Sequence, residues 1–326
     1  MTDHKPPILI DALLDDPYRV CRLVDERSPY FPVQRYFRSE AEYQASSGKS
    51  SASAPMLIAP VFRSDWAYDK PVFPEARFLF ENECLRDAAA ELFGSDLVRP
   101  MALFTNITWQ LPFDQGGGHT DIPAFRGIER RKHPIWLLSM MGHSRLFENE
   151  RVQIATAVAW FYEGTDGGFS YWPDGPSEAP VVHEGDIFNT AIMGDNDKMF
   201  HRVRPVGVPS DGFVTTMDVD TALEHVEGSR WRIRKRDEVL AEFERDALRI
   251  SLSYKAQVFR DAKEERIVES GAEDLSLTTV FERFYTDLRA REVAFEIPTD
   301  PLTDGTFITT LSDTYVREPT VFEPVP

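Results

Sequence analysis

The sequence predicts a mainly β protein with flanking helices: a jelly-roll, cupin-like core followed by a small C-terminal α/β appendage. Two observations predict the core. Between about residues 95 and 220, short β-branched and aromatic runs recur, each closed by Gly, Pro or Asp: Leu103 to Leu111, Phe169 to Trp172, Glu184 to Asn189 and His201 to Val206. Such spacing belongs to an antiparallel sandwich or barrel rather than to alternating helices and strands. The second observation is that the clear helix-like periodicity lies in the stretches before and after this region. With 326 residues, 42% hydrophobic and 28% charged, the chain can bury a sizeable core.

Residues 1–94 form the N-terminal helical flank. A helix is expected from about Pro17 to Arg27, then an aromatic irregular stretch and a Ser/Ala/Gly loop from Ala45 to Pro55. A second helix, Glu81 to Phe93, would place Leu85, Ala88, Ala89 and Leu92 on one face, with Gly94 capping its end. Both are expected to pack outside one sheet of the barrel. Residues 95–234 form the core, interrupted by Arg126 to Arg151. In this insertion Ile135 to Gly142 is apolar enough to be buried but fits a strand or a helix equally. Its position makes it a candidate lid. Residues 235–326 form the appendage. Lys235 to Arg249 is charged and helix-like, and Ile250 to Phe259 reads as a strand or as continued helix. Leu275 to Arg291 is an amphipathic helix carrying Val280, Phe281, Phe284, Tyr285 and Leu288, and a proline-rich tail follows. No chemical motif lies there; dimerisation, substrate closure or bracing are the roles open to it.

A net charge of -18 argues against nucleic acid, whose binding rests on cationic neutralisation of phosphates, and disfavours anionic membranes. No apolar run approaches the roughly 20 residues that span a bilayer, and the first residues lack the apolar core of a signal peptide. The expectation is a cytoplasmic protein acting on a small molecule, with a homodimer left open. Cys21 and Cys84 make neither a disulfide framework nor a zinc spacing.

The chemistry is carried by His119-Thr120-Asp121 and, after a long gap, His201 in Met199-Phe200-His201-Arg202-Val203. Two imidazoles and one carboxylate bind one face of an octahedral iron(II) and leave three adjacent positions open. A His-x-Asp alone is weak evidence. Here it follows an apolar strand and the turn Gln115-Gly-Gly-Gly118, so the ligands would sit at a strand end, held firmly yet accessible. The bland alternative makes His119 a surface residue, Asp121 a local cap and His201 a core histidine. His183 and His143 are the rivals for third ligand, and both are expected to face solvent or substrate. Gly167-Gly168 reads as a hairpin turn, and Trp109, Tyr171 and Trp172 as core or barrel lining.

The order His-x-Asp, Gly-Gly with aromatics, Gly-Asp, then His-x-Val-x-Pro-Val resembles the iron(II)/2-oxoglutarate-dependent oxygenases over residues 95–220, in the manner of the prolyl-hydroxylase and phytanoyl-type branches. The resemblance implies a double-stranded β-helix, with Fe(II) held by His119, Asp121 and His201. It also implies 2-oxoglutarate and dioxygen as co-substrates, and oxidative decarboxylation coupled to hydroxylation or other oxidation of a small metabolite, amino-acid-like or carboxylate. Much of the family carries a basic residue about ten to twelve positions after the distal His, to pair with the far carboxylate of 2-oxoglutarate. Here that stretch reads Asp211-Gly-Phe-Val214 and has no base. Arg204, Arg126 and Arg131 are the remaining candidates, since a guanidinium is the natural bidentate carboxylate partner. If His201 points inward, strand alternation turns Arg202 and Arg204 outward. The alternatives are an Fe(II) oxygenase that does not use 2-oxoglutarate, a zinc hydrolase with the same ligands, and a non-catalytic jelly-roll binding module.

Overall fold

The structure, a computed structural model, describes residues 5–36, 58–113, 118–164 and 166–315. The expected loop Ala45 to Pro55, most of the glycine-rich turn before His119 and the tail from 316 lie outside the described residues. The strands, in chain order, are β1 (Ile8–Ile10), β2 (Phe31–Pro32), β3 (Val61–Tyr68), β4 (Lys70–Pro71), β5 (Val98–Trp109), β6 (Ile154–Trp160) and β7 (Phe169–Trp172). They continue with β8 (Val181–His183), β9 (Thr190–Gly194), β10 (Phe200–Val203), β11 (Ala222–Glu227), β12 (Arg230–Lys235), β13 (Glu238–Glu244) and β14 (Leu248–Val258).

A large antiparallel sheet runs in the order β1-β9-β6-β14-β5-β3-β2, with β4 added on β3. Facing it is a small sheet of order β10-β7-β8, extended by isolated bridges from Leu111 to Val206 and from His119 to His201. Trp160 and Ile192 of the large sheet meet Phe169 of the small one, together with Tyr162 and Ile187. The Trp160 and Phe169 rings lie 5.3 Å apart. Two such sheets closed on an apolar seam are the expected jelly roll. Because β6 and β7 belong to different sheets, Gly167-Gly168 is a corner between sheets and not the hairpin turn the sequence suggested.

Outside the large sheet, helix Tyr18–Glu26 buries Val20, Cys21, Leu23 and Val24, and helix Glu83–Phe93 buries Leu85, Ala88, Ala89 and Leu92. Asn82 caps the second helix by accepting from the Leu85 N–H at 3.0 Å, and Gly94 ends it at φ 71°. Each large apolar side chain buried there contributes about 1.5–3 kcal/mol, so this face is a substantial part of the fold's stability. Both cysteines are free, Cys21 buried and Cys84 exposed.

The expected boundary between 234 and 235 is overturned. β14 pairs with β5 on one side and β6 on the other, so the strand assigned to an appendage lies at the centre of the barrel. Lys235 to Arg249 is not helical either: it holds the end of β12, β13 and a short 3-10 turn Arg245–Ala247. Its charges are paired across strands, as when Glu224 of β11 accepts from Arg232 and Arg234 of β12. The three strands β11-β12-β13 form a separate small sheet inserted between β10 and β14.

Only residues beyond β14 form an appendage, and among the described residues it is helical: Ala262–Ser270, Leu277–Ala290 and Gly305–Thr314. The ambiguous segment in the insertion is helix Ile135–Ser144, buried along most of its length. Insertion and appendage share one core, in which Trp136, Leu137, Met141 and Phe147 pack with Phe284, Leu288 and Leu311. Arg283 adds a two-pronged contact to Glu150, 2.9 Å at each oxygen. Among the described residues, no helix is long and apolar enough to cross a membrane.

Candidate metal centre

Alternation along β14 explains how a polar site arises inside the barrel. Leu248, Ile250, Leu252, Tyr254, Ala256 and Val258 pack into the core beneath the outer helices. Arg249, Ser251, Ser253, Lys255 and Gln257 therefore point to the other side, into the barrel. Lys255 Nζ reaches Asp121 Oδ2 at 2.6 Å, which puts that carboxylate on the same inner side.

His119 and His201 are directly opposed in an antiparallel bridge, their rings 4.5 Å apart at 55°. Gly118 makes the approach possible. It sits at φ +73°, and a Cβ there would lie 3.0 Å from Trp172 and 3.1 Å from the His201 carbonyl oxygen. The Asp121 N–H donates to the Asn196 carbonyl at 2.8 Å, tying the second ligand to the turn between β9 and β10. One donor atom each from His119, Asp121 and His201 lie within 4.8 Å of one another, and among the described residues no other such group of His, Cys, Asp or Glu occurs.

His201 is buried, and its Nδ1 is 3.0 Å from the Met199 carbonyl oxygen. That contact places the proton on Nδ1, so Nε2 keeps its lone pair for a metal. Nε2 in turn lies 3.7 Å from Asp121 Oδ1. Burial pulls the imidazole below its ordinary value, against a weaker upward pull from Asp121. For Asp121, burial alone would raise the carboxyl, but Lys255 and then His201 outweigh it and hold the group well below the usual carboxylate range. A neutral imidazole and an ionised carboxylate are the forms a metal requires.

The rival histidines lie elsewhere. His183, half-buried at the end of β8, has its Nε2 2.9 Å from Thr190 Oγ1 and its ring on Trp160 at 5.0 Å, so it stands apart from the ligand cluster. His143 ends helix Ile135–Ser144 instead of forming a turn. Trp172 is fully buried, and Trp109 stacks on Phe243 at 4.7 Å.

The three arginines considered for 2-oxoglutarate are engaged in other ion pairs. Arg204 pairs with Glu184 at 3.3 Å, Arg126 with Glu273 at 3.3 Å, and Arg131 with Asp69 at 3.5 Å while lying over the Tyr68 ring. Arg202 turns away from His201 and lies 5.7 Å over the Trp172 ring, as alternation requires. A base that sequence reasoning missed is Arg249, 1% exposed on the inner face of β14. Its Nε donates to the Gly167 carbonyl and its Nη1 to Ser251 Oγ at 3.2 Å. Its Nη2 is buried without a hydrogen-bond partner among the described residues. Burial lowers its pKa to about 10. Gly167, at φ +67°, leaves the room it needs, because a Cβ there would meet the Arg249 side chain at 2.7 Å. The signal available in the sequence was the strict alternation of polar and apolar residues from Leu248 to Val258, a strand pattern obscured by the charged stretch before it.

No family model matches the chain, and no curated protein matches it. Among solved structures it is similar to a prolyl-4-hydroxylase from Pseudomonas putida, at TM-score 0.37 and 11% identity over 78% of this chain and 94% of that one. It is similar to EvdMO1 at TM-score 0.37 and 10% identity, over 79% of this chain and 48% of that one, so it spans about half of that chain's length. It is also similar to HygX from Streptomyces hygroscopicus, solved with nickel and 2-oxoglutarate bound, at TM-score 0.37 and 8% identity over 79% and 85%. At this level of superposition the likeness carries no conclusion about the chain, and what the site can do follows from its own residues.

Proposed function

We propose that the protein is a non-haem Fe(II)-dependent oxygenase that uses 2-oxoglutarate and oxidises a small metabolite. The observation that carries this reading is the convergence of two imidazoles and one carboxylate, with donor atoms within 4.8 Å, on the inside of a jelly roll. This donor set suits iron(II) with one face left open. Arg249 answers the objection raised by the missing base. A buried guanidinium with an unpaired Nη2 is costly unless something pairs with it, and the far carboxylate of a 2-oxo acid is a fitting partner. Ser251, already bonded to Arg249, stands beside it.

When bound, iron(II) and 2-oxoglutarate supply the dioxygen-activating, hydrogen-abstracting chemistry. The chain's own residues hold and orient. His119, Asp121 and His201 would take the metal, and Arg249 would fix the far end of the co-substrate. Trp160, Phe169 and Ile192 make an apolar wall that keeps water out.

The test is to load the protein with Fe(II) without oxygen and record the visible spectrum with and without 2-oxoglutarate. A weak charge-transfer band that disappears in His201→Ala supports the reading. In Arg249→Met the band should need about 30-fold or more co-substrate, since a buried charged partner has been removed. Iron binding without the band favours the enzyme that does not use 2-oxoglutarate. No iron binding removes the metal reading altogether.

A further inference from the structure

The two oxygens of Asp121 have different surroundings. Oδ1 lies 3.7 Å from His201 Nε2 and so faces the other ligands. Oδ2 accepts from Lys255 Nζ at 2.6 Å, and the same ammonium donates to Thr156 Oγ1 at 3.0 Å. Thr156 of β6 is the cross-strand partner of Lys255 on β14, so the lysine is anchored by the sheet's own register. Its side chain is 14% exposed. A carboxylate can ligate with one oxygen or with two. In the second mode Asp121 would take a further position on the ion, one the proposed reaction needs open.

We propose that Lys255 is a positioning residue that confines Asp121 to one-oxygen ligation and thereby preserves the positions used by a chelating co-substrate. The inference rests on the metal reading above and deepens it. For Oδ2 to reach an ion, it would have to give up a charge-assisted hydrogen bond and leave a largely buried ammonium with Thr156 as its remaining hydrogen-bond partner among the described residues. The backbone end of Asp121 is also tied, through its N–H to Asn196, so the carboxylate has little freedom to swing round.

The experiment uses Co(II), whose visible spectrum reports coordination, and oxalate as a two-oxygen chelator, so no turnover is needed. Wild type should bind Co(II) and then oxalate. Lys255→Met should bind Co(II) at least as tightly, since a neighbouring cation is gone, yet bind oxalate about tenfold or more weakly. Lys255→Gln, which can still donate to Oδ2, should recover most of that loss. Unchanged oxalate affinity in Lys255→Met, or an equal loss in Lys255→Gln, overturns the proposal. If Lys255→Met does not fold, Thr156→Val removes the second anchor while keeping side-chain shape. It should lose oxalate affinity several-fold with Co(II) affinity retained, and no loss overturns the proposal. A wild-type protein that binds no Co(II) overturns the metal reading together with this one, whereas Co(II) binding with identical variants overturns this one alone.

Discussion

His119 and His201 exchange both backbone hydrogen bonds, N to O at 2.9 Å in each direction. They are thus a directly opposed antiparallel pair, which puts their side chains on the same face of the small sheet. The ligand geometry is built into a strand pairing and not left to loop conformation, so the two imidazoles arrive together whenever the sheet forms.

Asp121→Ala should abolish metal binding while the barrel survives, because the bridge between the histidines needs no Asp121 side chain. In wild type, a metal at 100 times its dissociation constant should add about 2.7 kcal/mol of stability. The variant should show no such shift in thermal unfolding. A full shift in Asp121→Ala would mean that the ligands are misassigned.

Arg249→Met should leave the stability of the metal-free protein unchanged or raise it. Replacing a buried, incompletely paired ion by an apolar side chain of similar length is often neutral or stabilising. Together with weaker 2-oxoglutarate binding, this would separate a ligand-binding role from a structural one. Strong destabilisation would show that Arg249 serves the fold.

Asp197 lends the metal-free protein a pH dependence. It is 7% exposed and neither carboxylate oxygen has a hydrogen-bond partner among the described residues. Burial raises its pKa to about 7, against the pull of Lys255. A folded pKa above the unfolded one means a stabilising contribution that is complete at low pH and lost as pH rises through about 7. Asp197→Asn should therefore raise the melting temperature at pH 8 by a few degrees, with the gain shrinking below neutrality. An equal gain at pH 4 and pH 8 would contradict this account.

Phe284 tests whether insertion and C-terminal helices are one unit. It is fully buried, 5.3 Å from the Phe147 ring of the insertion and 5.5 Å from Tyr315. Phe284→Ala should cost about 3–5 kcal/mol in denaturant unfolding. A cost near zero would separate the insertion from the C-terminal helices.

The sequence by itself determined the mainly β class, the two outer helices and the three candidate ligands. The class and the helices are written in local patterns, period-2 and period-3.6 hydrophobicity and the αL glycine at position 94; of the ligands, the grouping of His119 with Asp121 is local, whereas His201 is marked out by its own strand segment after a long gap. Only the tertiary structure decided what depends on pairing between distant strands. The strand Leu248 to Val258 read as part of an appendage because a charged hairpin precedes it, yet it closes the barrel between β5 and β6. Its polar residues face the other sheet, which covers them. Arg249 and Lys255 thus became interior groups, one buried among Gly167 and Ser251 and the other on Asp121. Alternation in a sequence says that a strand has two faces; which face is inside is settled only when its partner sheet lies down on it.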